Sequence, residues 1–187
     1  GGISDVFITN EIVGRKKISR LVNLSSQATI GVCVDNYENI RDLSMAARQF
    51  LTELNVYVEI DIGGGRCGVQ PGKPALDMVR AIHQSPNLKF QGLQVYHGKA
   101  QHIKMFGDRK NAIRQSLEKV TDTLMLLDRS GIDCPVVSGA GTGSYLLEAE
   151  SGVYTEMQCG SYLFMDADYA SIHTAQGTLL DSFENSL

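Results

Sequence analysis

Glycine and hydroxyl residues are concentrated in the segment 138–144 (SGAGTGS), which follows a short apolar run at 134–137. Small residues let a backbone approach an anion closely, so that N–H groups and hydroxyls can donate to it. A second turn of this kind, 159–161 (CGS), follows the β-like segment 154–158. A single glycine-rich turn is typical of ordinary loops, but turns after consecutive strands can bind one phosphate from opposite sides. The pair of turns therefore predicts a phosphate site.

Further turns place ionisable side chains after predicted strands. The segment 63–68 (GGGRCG) holds Arg66 between glycines, where its guanidinium can meet an anionic oxygen. A lone arginine after a strand is, however, more often a surface ion-pair partner. The segment 97–102 (HGKAQH) follows the next predicted strand and adds Gln101 and His102 as candidates. Because these turns all follow strands, we expect them at one edge of a sheet.

Alternating apolar periodicities predict the elements that position these turns. Strands are predicted at 5–9, 28–34, 56–62, 88–96, 134–137 and 154–158, with 162–165 resuming the last strand after its turn. Helices are predicted at 15–24, 36–55, 75–82 and 108–131. Asp35 or Asn36 is a suitable N-cap, and Gly131 a suitable C-cap. The pattern is typical of a parallel sheet and fits either part of an eight-stranded barrel or a six-stranded doubly wound sheet.

The composition indicates one globular domain of 187 residues, 43% hydrophobic and 20% charged. A formal net charge of -4 without a sustained Lys/Arg stripe excludes a nucleic-acid surface, and no apolar run is long enough to imply a membrane partner. The four cysteines lack metal-knuckle or CxxC spacing and are predicted to be buried thiols, which favours a reducing, cytoplasmic location. Because the chain starts at Gly1 and runs directly into a strand, we expect that an upstream segment has been removed.

Four longer segments combine these features: 59–72 (EIDIGGGRCGVQPG), 92–102 (GLQVYHGKAQH), 138–145 (SGAGTGSY) and 154–169 (YTEMQCGSYLFMDADY). With them the chain resembles the pyridoxal-phosphate (PLP) enzymes with an alanine-racemase-like barrel, in particular the group of D-threonine aldolase, 3-hydroxy-D-aspartate aldolase and D-serine dehydratase. The resemblance implies a TIM-type (β/α)8 barrel of the alanine racemase N-terminal domain kind, of which about six βα units, strands 3 to 8, are present. Residues 1–176 would form this partial PLP-binding barrel, and 177–187 would begin the linker to an absent C-terminal β domain.

The resemblance implies cofactor-binding roles for the two glycine-rich turns. Thr142, together with Gly141 from the same turn, would bind the PLP phosphate. Gly160 and Ser161 of the second turn would bind it from the other side, and the adjacent Tyr162 would join this group. Cys159 replaces the proline usual before this Gly-Ser pair, which should loosen the turn without removing the phosphate contacts.

Further roles follow from the resemblance for residues around the cofactor ring. Arg66 would approach the phenolic oxygen, and His97 would pack against the ring. Tyr96 would lie on the substrate side, so Tyr96 and His97 are the catalytic candidates in this chain. Gln158 stands where alanine racemases carry an arginine against the pyridine nitrogen. A neutral amide does not force that nitrogen to stay unprotonated, as a nearby cation would. This predicts that the cofactor is a stronger electron sink here than in the alanine racemases.

Two features of the group do not occur in this sequence. The Schiff-base lysine, in a segment like HAKT, would lie upstream. The divalent-metal ligands would lie in the domain beyond Leu187, so no metal ligand is expected here. Lys99 and Lys104 follow the fourth predicted strand, and we interpret them as solvated rather than as substitute lysines. The isolated chain is therefore expected to be inactive.

For the complete protein, the resemblance implies a metal-activated, PLP-dependent lyase that cleaves D-3-hydroxy amino acids to glycine plus an aldehyde or oxoacid. Dehydration of D-serine or 3-hydroxyaspartate on the same scaffold is an alternative that the residues do not separate. Two further alternatives are a non-catalytic PLP-binding protein and a barrel enzyme that binds another phosphorylated ligand. The group forms homodimers in which one subunit's second domain completes the other's site.

Overall fold

The computed structural model describes residues 2–180 and contains one parallel sheet. Its six strands are β1 Asp5–Glu11, β2 Thr29–Val34, β3 Leu54–Glu59, β4 Leu88–Val95, β5 Val136–Gly139 and β6 Glu156–Met157. Each strand pairs with the next one in the chain, in the order β1-β2-β3-β4-β5-β6. In a doubly wound sheet the order of the strands reverses at a switch point, whereas in a barrel each strand pairs with the next one in the chain. The observed order therefore confirms the partial barrel and excludes the doubly wound alternative.

Helices connect the strands and cover one face of the sheet. They are α1 Arg15–Leu24, α2 Tyr37–Gln49, α3 Lys73–His83, α4 Phe106–Arg129 and α5 Tyr145–Glu150. Short 3-10 turns occur at Gly98–His102, Ser161–Leu163 and Tyr169–Ser171. The predicted apolar faces of α1, α3 and α4 pack into the core, against fully buried strand residues such as Val32, Val56 and Leu93. Within the described part of the chain, no helix has the length and apolarity needed to cross a membrane.

The predicted helix 36–55 is wrong at its C-terminal end. Asn36 is the N-cap, as expected, and its side chain accepts hydrogen bonds from the backbone of the first turn. The helix stops at Gln49 because Leu51 adopts a left-handed conformation with φ 53. Thr52 N then donates to Ala47 O at 3.0 Å, which closes a Schellman-type end without the usual glycine. Leu51 is 90% exposed, and Leu54 belongs to β3 rather than to the helix.

The last predicted strand is also shorter than expected. Only Glu156–Met157 pairs with β5, and the apolar segment 162–165 follows the 3-10 turn Ser161–Leu163 instead of forming a strand. Leu163 and Phe164 are 55% and 74% exposed. The predicted linker starts within the described residues, with a bridge between His173 and Leu179, while 181–187 lie outside them.

Candidate active site

A cavity of about 490 Å³ opens at the carboxyl ends of β3 and β4. Its lining comes from the last residue of β3 and from the turns that follow β3 and β4: Glu59, Asp61, Gly64, Gly65, Arg66, Cys67, Tyr96, Gly98, Lys99 and His102. The structure thus brings together three residues singled out in the sequence, Arg66, Tyr96 and His102. Because parallel strands end at one edge of the sheet, turns distant in sequence form one wall.

Asp61 organises the glycine turn that carries Arg66. Its Oδ1 accepts hydrogen bonds from the backbone N–H of Gly63 at 3.0 Å and of Gly65 at 2.9 Å. Both bonds lower the pKa of the Asp61 carboxyl, and the bond from Gly65 has the larger effect. A further bond joins Gly68 N to Asp35 Oδ2 at 3.0 Å. The arginine therefore sits on a hydrogen-bonded turn, which the glycine content alone does not predict.

His97 lies behind this turn and is absent from the cavity lining. It is only 8% exposed, and a Cβ on Gly63 would come within 2.7 Å of its Nε2. Burial lowers the pKa of His97, which favours the neutral imidazole, and its buried Nδ1 has no hydrogen-bond partner among the described residues. His97 thus supports the Arg66 turn in this structure. Its packing against a cofactor ring stays a prediction.

Tyr96 lies between the cavity and the first glycine-rich turn. A Cβ on Gly141 would come within 3.2 Å of the Tyr96 ring, and one on Gly98 within 3.3 Å. Burial raises the pKa of the Tyr96 phenol, so the hydroxyl stays protonated at neutral pH and can donate a hydrogen bond. Tyr96 is therefore suited to contact a ligand that reaches from one turn to the other.

The turn after β5 presents one conspicuous orphan group. Gly143 N donates to Gln101 Oε1 at 3.0 Å, and Ser144 N and Tyr145 N donate to Gly141 O at 3.1 and 2.9 Å. These N–H groups are satisfied within the protein, so the simple expectation that the whole turn faces an anion is too broad. The Thr142 hydroxyl, in contrast, is buried and lacks a hydrogen-bond partner among residues 2–180. A buried hydroxyl without a partner is costly unless a ligand satisfies it.

A second cavity, of about 270 Å³, joins the two glycine-rich turns. Thr142 and Tyr145 line it from the first turn, and Cys159 and Tyr162 from the second. Gly160 and Ser161 connect the latter two residues, and a Cβ on Gly160 would meet nothing within 4 Å. The orphan hydroxyl, the open glycine and the juxtaposed turns fit a phosphate group such as that of PLP.

A buried network that the sequence analysis did not predict supports the first turn. Gln101 Nε2 donates to Ser144 Oγ at 2.6 Å, and Ser144 Oγ donates to Glu148 Oε2 at 2.6 Å. Gln101 and Glu148 are both fully buried. Burial raises the pKa of Glu148 to about 7, opposed by the hydrogen bond from Ser144. Helical periodicity alone does not reveal this role, because a glutamate on a short helix is normally solvated.

Glu148→Gln is expected to stabilise the protein above neutral pH. Because the pKa of Glu148 is raised in the folded protein, its carboxyl keeps a proton that the unfolded chain has already released. The free energy of unfolding is therefore highest below the pKa of the unfolded chain and falls as pH rises to about 7. The neutral amide removes this loss, which is at most about 3 kcal/mol. Urea unfolding of the complete protein between about pH 5 and 9 measures it. Equal pH dependence in both proteins would contradict the assignment.

Gln158 is tied into a chain of polar side chains between β4, β5 and β6. Its Nε2 donates to Gln94 Oε1 at 2.6 Å and to Ser138 Oγ at 2.8 Å, while its Oε1 accepts from Gln94 Nε2 at 3.2 Å. Ser138 Oγ in turn donates to Glu156. Both amide protons are thus used, which leaves Oε1 with spare acceptor capacity. The contact between Gln158 and a pyridine nitrogen stays a prediction.

At the mouth of the larger cavity, His102 is paired with a carboxylate. Its Nδ1 hydrogen-bonds Asp168, and its ring lies 5.6 Å from that of Tyr169. The bond orients the ring, whose other nitrogen, Nε2, can donate or accept a hydrogen bond. Asp168 comes from a segment far along the chain, so sequence spacing does not predict this pair.

One further cluster borders the same cavity. Among the described residues, Glu11, Glu59 and Cys67 each bring one carboxylate or thiol atom within 4.8 Å of the others. Arg66 Nη2 lies 3.8 Å from Glu59 Oε1, and burial together with the nearby Glu11 carboxylate raises the pKa of Glu59 to about 8. The raised pKa favours the protonated form of the Glu59 carboxyl, and Arg66 supplies a cation beside it. The expectation that this chain supplies no metal ligand stays a prediction.

The fold and these cavities define the class of protein: a partial parallel α/β barrel with a polar cavity after β3 and β4 and a second cavity between the turns after its last two strands. The chain belongs to the family described as "Alanine racemase, N-terminal domain", which matches residues 6–168. The resemblance inferred from the four sequence segments is therefore confirmed.

Individual relatives narrow the comparison. The chain is 47% identical over 190 residues to 3-hydroxy-D-aspartate aldolase of Paracoccus denitrificans (strain Pd 1222), covering 100% of this chain and 49% of the relative. It is 43% identical over 186 residues to D-threonine aldolase of Arthrobacter sp, covering 100% of this chain and 48% of that relative. The crystal structure of D-threonine aldolase from Filomicrobium marinum superposes with a TM-score of 0.91 at 45% identity, covering 92% of this chain and 47% of that one. The chain thus spans about half the length of the relatives it matches.

Proposed function

We propose that the complete protein is a PLP-dependent lyase that cleaves D-3-hydroxy amino acids to glycine and an aldehyde or oxoacid. The observation that carries the proposal is the orphan Thr142 hydroxyl in a cavity shared by the two glycine-rich turns. The names of the relatives at 43% and 47% identity support the substrate class and favour cleavage over dehydration.

The residues of this chain have separate tasks in the proposed reaction. Thr142 and the turn at Gly160 and Ser161 would hold the PLP phosphate, and Arg66 would bind an anionic oxygen on the ring. When bound, PLP withdraws electrons from the α-carbon of an amino-acid substrate. Tyr96 would orient the substrate through its protonated hydroxyl.

His102 would act as the proton acceptor for the substrate's 3-hydroxyl. As Nε2 takes this proton, the oxygen forms a carbonyl with Cβ, the Cα–Cβ bond breaks, and its electron pair passes to Cα. Protonation of Cα then gives glycine, with the former Cβ leaving in the aldehyde or oxoacid. Asp168 would stabilise the charged imidazole, because its carboxylate already hydrogen-bonds Nδ1.

We further propose that the Schiff-base lysine and the ligands of an activating divalent metal lie outside this chain. A homodimer and a cytoplasmic location belong to the same proposal. All four cysteines are free thiols, although only Cys33 is buried and the other three are half-buried, contrary to the expectation of four buried thiols. Free thiols support a reducing compartment. Small molecules rather than nucleic acids are the expected partners, given the net charge of -4.

Product analysis of the complete protein, supplied with PLP and a divalent metal, tests the proposal. We expect glycine plus an aldehyde from D-threonine, or glycine plus an oxoacid from 3-hydroxy-D-aspartate. Ammonia together with a 2-oxoacid would instead indicate dehydration. PLP binding without turnover would favour a non-catalytic PLP protein. Failure to bind PLP, combined with tight binding of a sugar phosphate, would overturn the cofactor assignment.

A further inference from the structure

One buried acidic side chain lines the larger cavity, and a second acid lies close to it. Glu59 is the last residue of β3, is 4% exposed and lines the cavity. Glu11 is the last residue of β1, and one of its carboxyl oxygens lies within 4.8 Å of a carboxyl oxygen of Glu59. Glu11 Oε1 is buried and accepts no hydrogen bond from the described residues. Two carboxyl groups this close, one of them buried, repel each other when both are ionised, so the pair favours holding one proton.

The surrounding charges do not neutralise a doubly ionised pair. Arg66 is the cation that faces Glu59, with Nη2 3.8 Å from Oε1, and its side chain is 67% exposed. From the neighbouring elements, Asp35 adds negative charge at the end of β2, while the Cys33 and Cys67 thiols face the same cluster. Burial first, and then the Glu11 carboxylate, raise the pKa of Glu59 to about 8, whereas Arg66 lowers it.

The long distance between Glu59 and Arg66 is informative. A tight bidentate arginine–carboxylate pair brings N and O to about 2.8 Å and occupies the guanidinium. At 3.8 Å, Glu59 attracts the guanidinium while leaving its N–H groups open toward the cavity. A pair with one negative charge favours this arrangement, because a second charge would draw the arginine onto the acids.

We propose that Glu59 is a positioning residue for Arg66, and that Glu11 shares one proton with Glu59 so that the pair carries a single negative charge. Arg66 then remains available to an anionic oxygen of the ligand. The inference rests on the proposed function in one respect, that Arg66 contacts bound PLP. The shared proton is independent of the cofactor.

Infrared spectroscopy of the complete protein without PLP tests the shared proton. A protonated carboxyl has a C=O stretch distinct from that of a carboxylate. The difference spectrum between wild type and Glu59→Gln should contain this band near neutral pH, and so should that for Glu11→Gln. Glu53 is exposed, so Glu53→Gln is the matched control and should give no such band. Absence of the band in both difference spectra would overturn the shared proton.

PLP affinity as a function of pH tests the positioning role. Wild-type affinity should weaken as pH rises through about 8, where the second charge appears. Below this pH, Glu59→Gln should weaken binding about tenfold, equivalent to about 1.4 kcal/mol, and its affinity should not decline further as pH rises. Glu11→Gln should remove the pH dependence with near wild-type affinity, because Glu59 then carries one charge throughout.

Each result has a separate meaning. If wild-type protein binds PLP but Glu59→Gln has the same affinity and pH profile, the positioning role is wrong. If Glu59→Gln weakens binding but the alkaline decline persists, Glu59 has only a structural role and the inference is again wrong. If wild-type protein does not bind PLP, the proposed function and the positioning role fail, while the infrared result still decides the shared proton.

Discussion

Gly143→Ala is expected to reduce PLP affinity of the complete protein by at least about 100-fold, or about 3 kcal/mol. A Cβ at this position would lie 2.3 Å from the Gln101 carbonyl oxygen and 3.1 Å from the Gln101 Cα. These are backbone atoms of the turn after β4, so neither side can relax by changing a rotamer. The turn must shift, which moves the Thr142 hydroxyl away from the phosphate cavity. Fluorescence titration with PLP measures the loss.

Gly107→Ala provides the matched control for this change. Gly107 lies in the first turn of α4, and a Cβ there would meet nothing within 4 Å. Its PLP affinity should equal that of wild type. Circular dichroism and thermal unfolding establish whether Gly143→Ala still folds. A folded Gly143→Ala protein with unchanged affinity would mean that the turn after β5 does not bind the phosphate.

His102→Asn is expected to lower kcat for D-3-hydroxy amino acid cleavage by about 100-fold or more. Asparagine keeps a polar contact with Asp168 but cannot accept the hydroxyl proton. KM should change little, because His102 would act on the reacting hydroxyl rather than anchor the substrate. Steady-state kinetics that separate kcat from KM, together with PLP content, check the assignment.

His83→Asn and Asp168→Asn complete this test. His83 is exposed on α3, where it contacts the Phe90 ring, and its replacement should leave kcat unchanged. Asp168→Asn should give an intermediate loss of about tenfold, because the histidine remains but loses its carboxylate. A His102→Asn protein with kcat within about twofold of wild type and full PLP content would exclude His102 as the base.

Much of the fold was predictable from local patterns. Apolar periodicity distinguishes strands from helices, and polar turns after every strand predict a parallel sheet with one active edge. The end of α2 was not predictable in this way, because Leu51 takes a left-handed conformation normally associated with glycine. The resemblance carried by segments such as GRCG and SGAGTGS predicted the family, which the match to residues 6–168 confirms.

The sequence by itself determined the strand-helix alternation and the positions of the glycine-rich turns, including the turn that carries Arg66, because each depends on residue types close together in the chain. The residue patterns alone left the strand order open between a barrel and a doubly wound sheet. Only the tertiary structure decided between them, placed Glu11 within 4.8 Å of Glu59 and brought Gln101 Oε1 to Gly143 N. These contacts arise where different strands end at one edge of a curved sheet. Burial at that edge then changes the pKa values of Glu59, His97 and Glu148, since desolvation depends on neighbours that are remote in sequence.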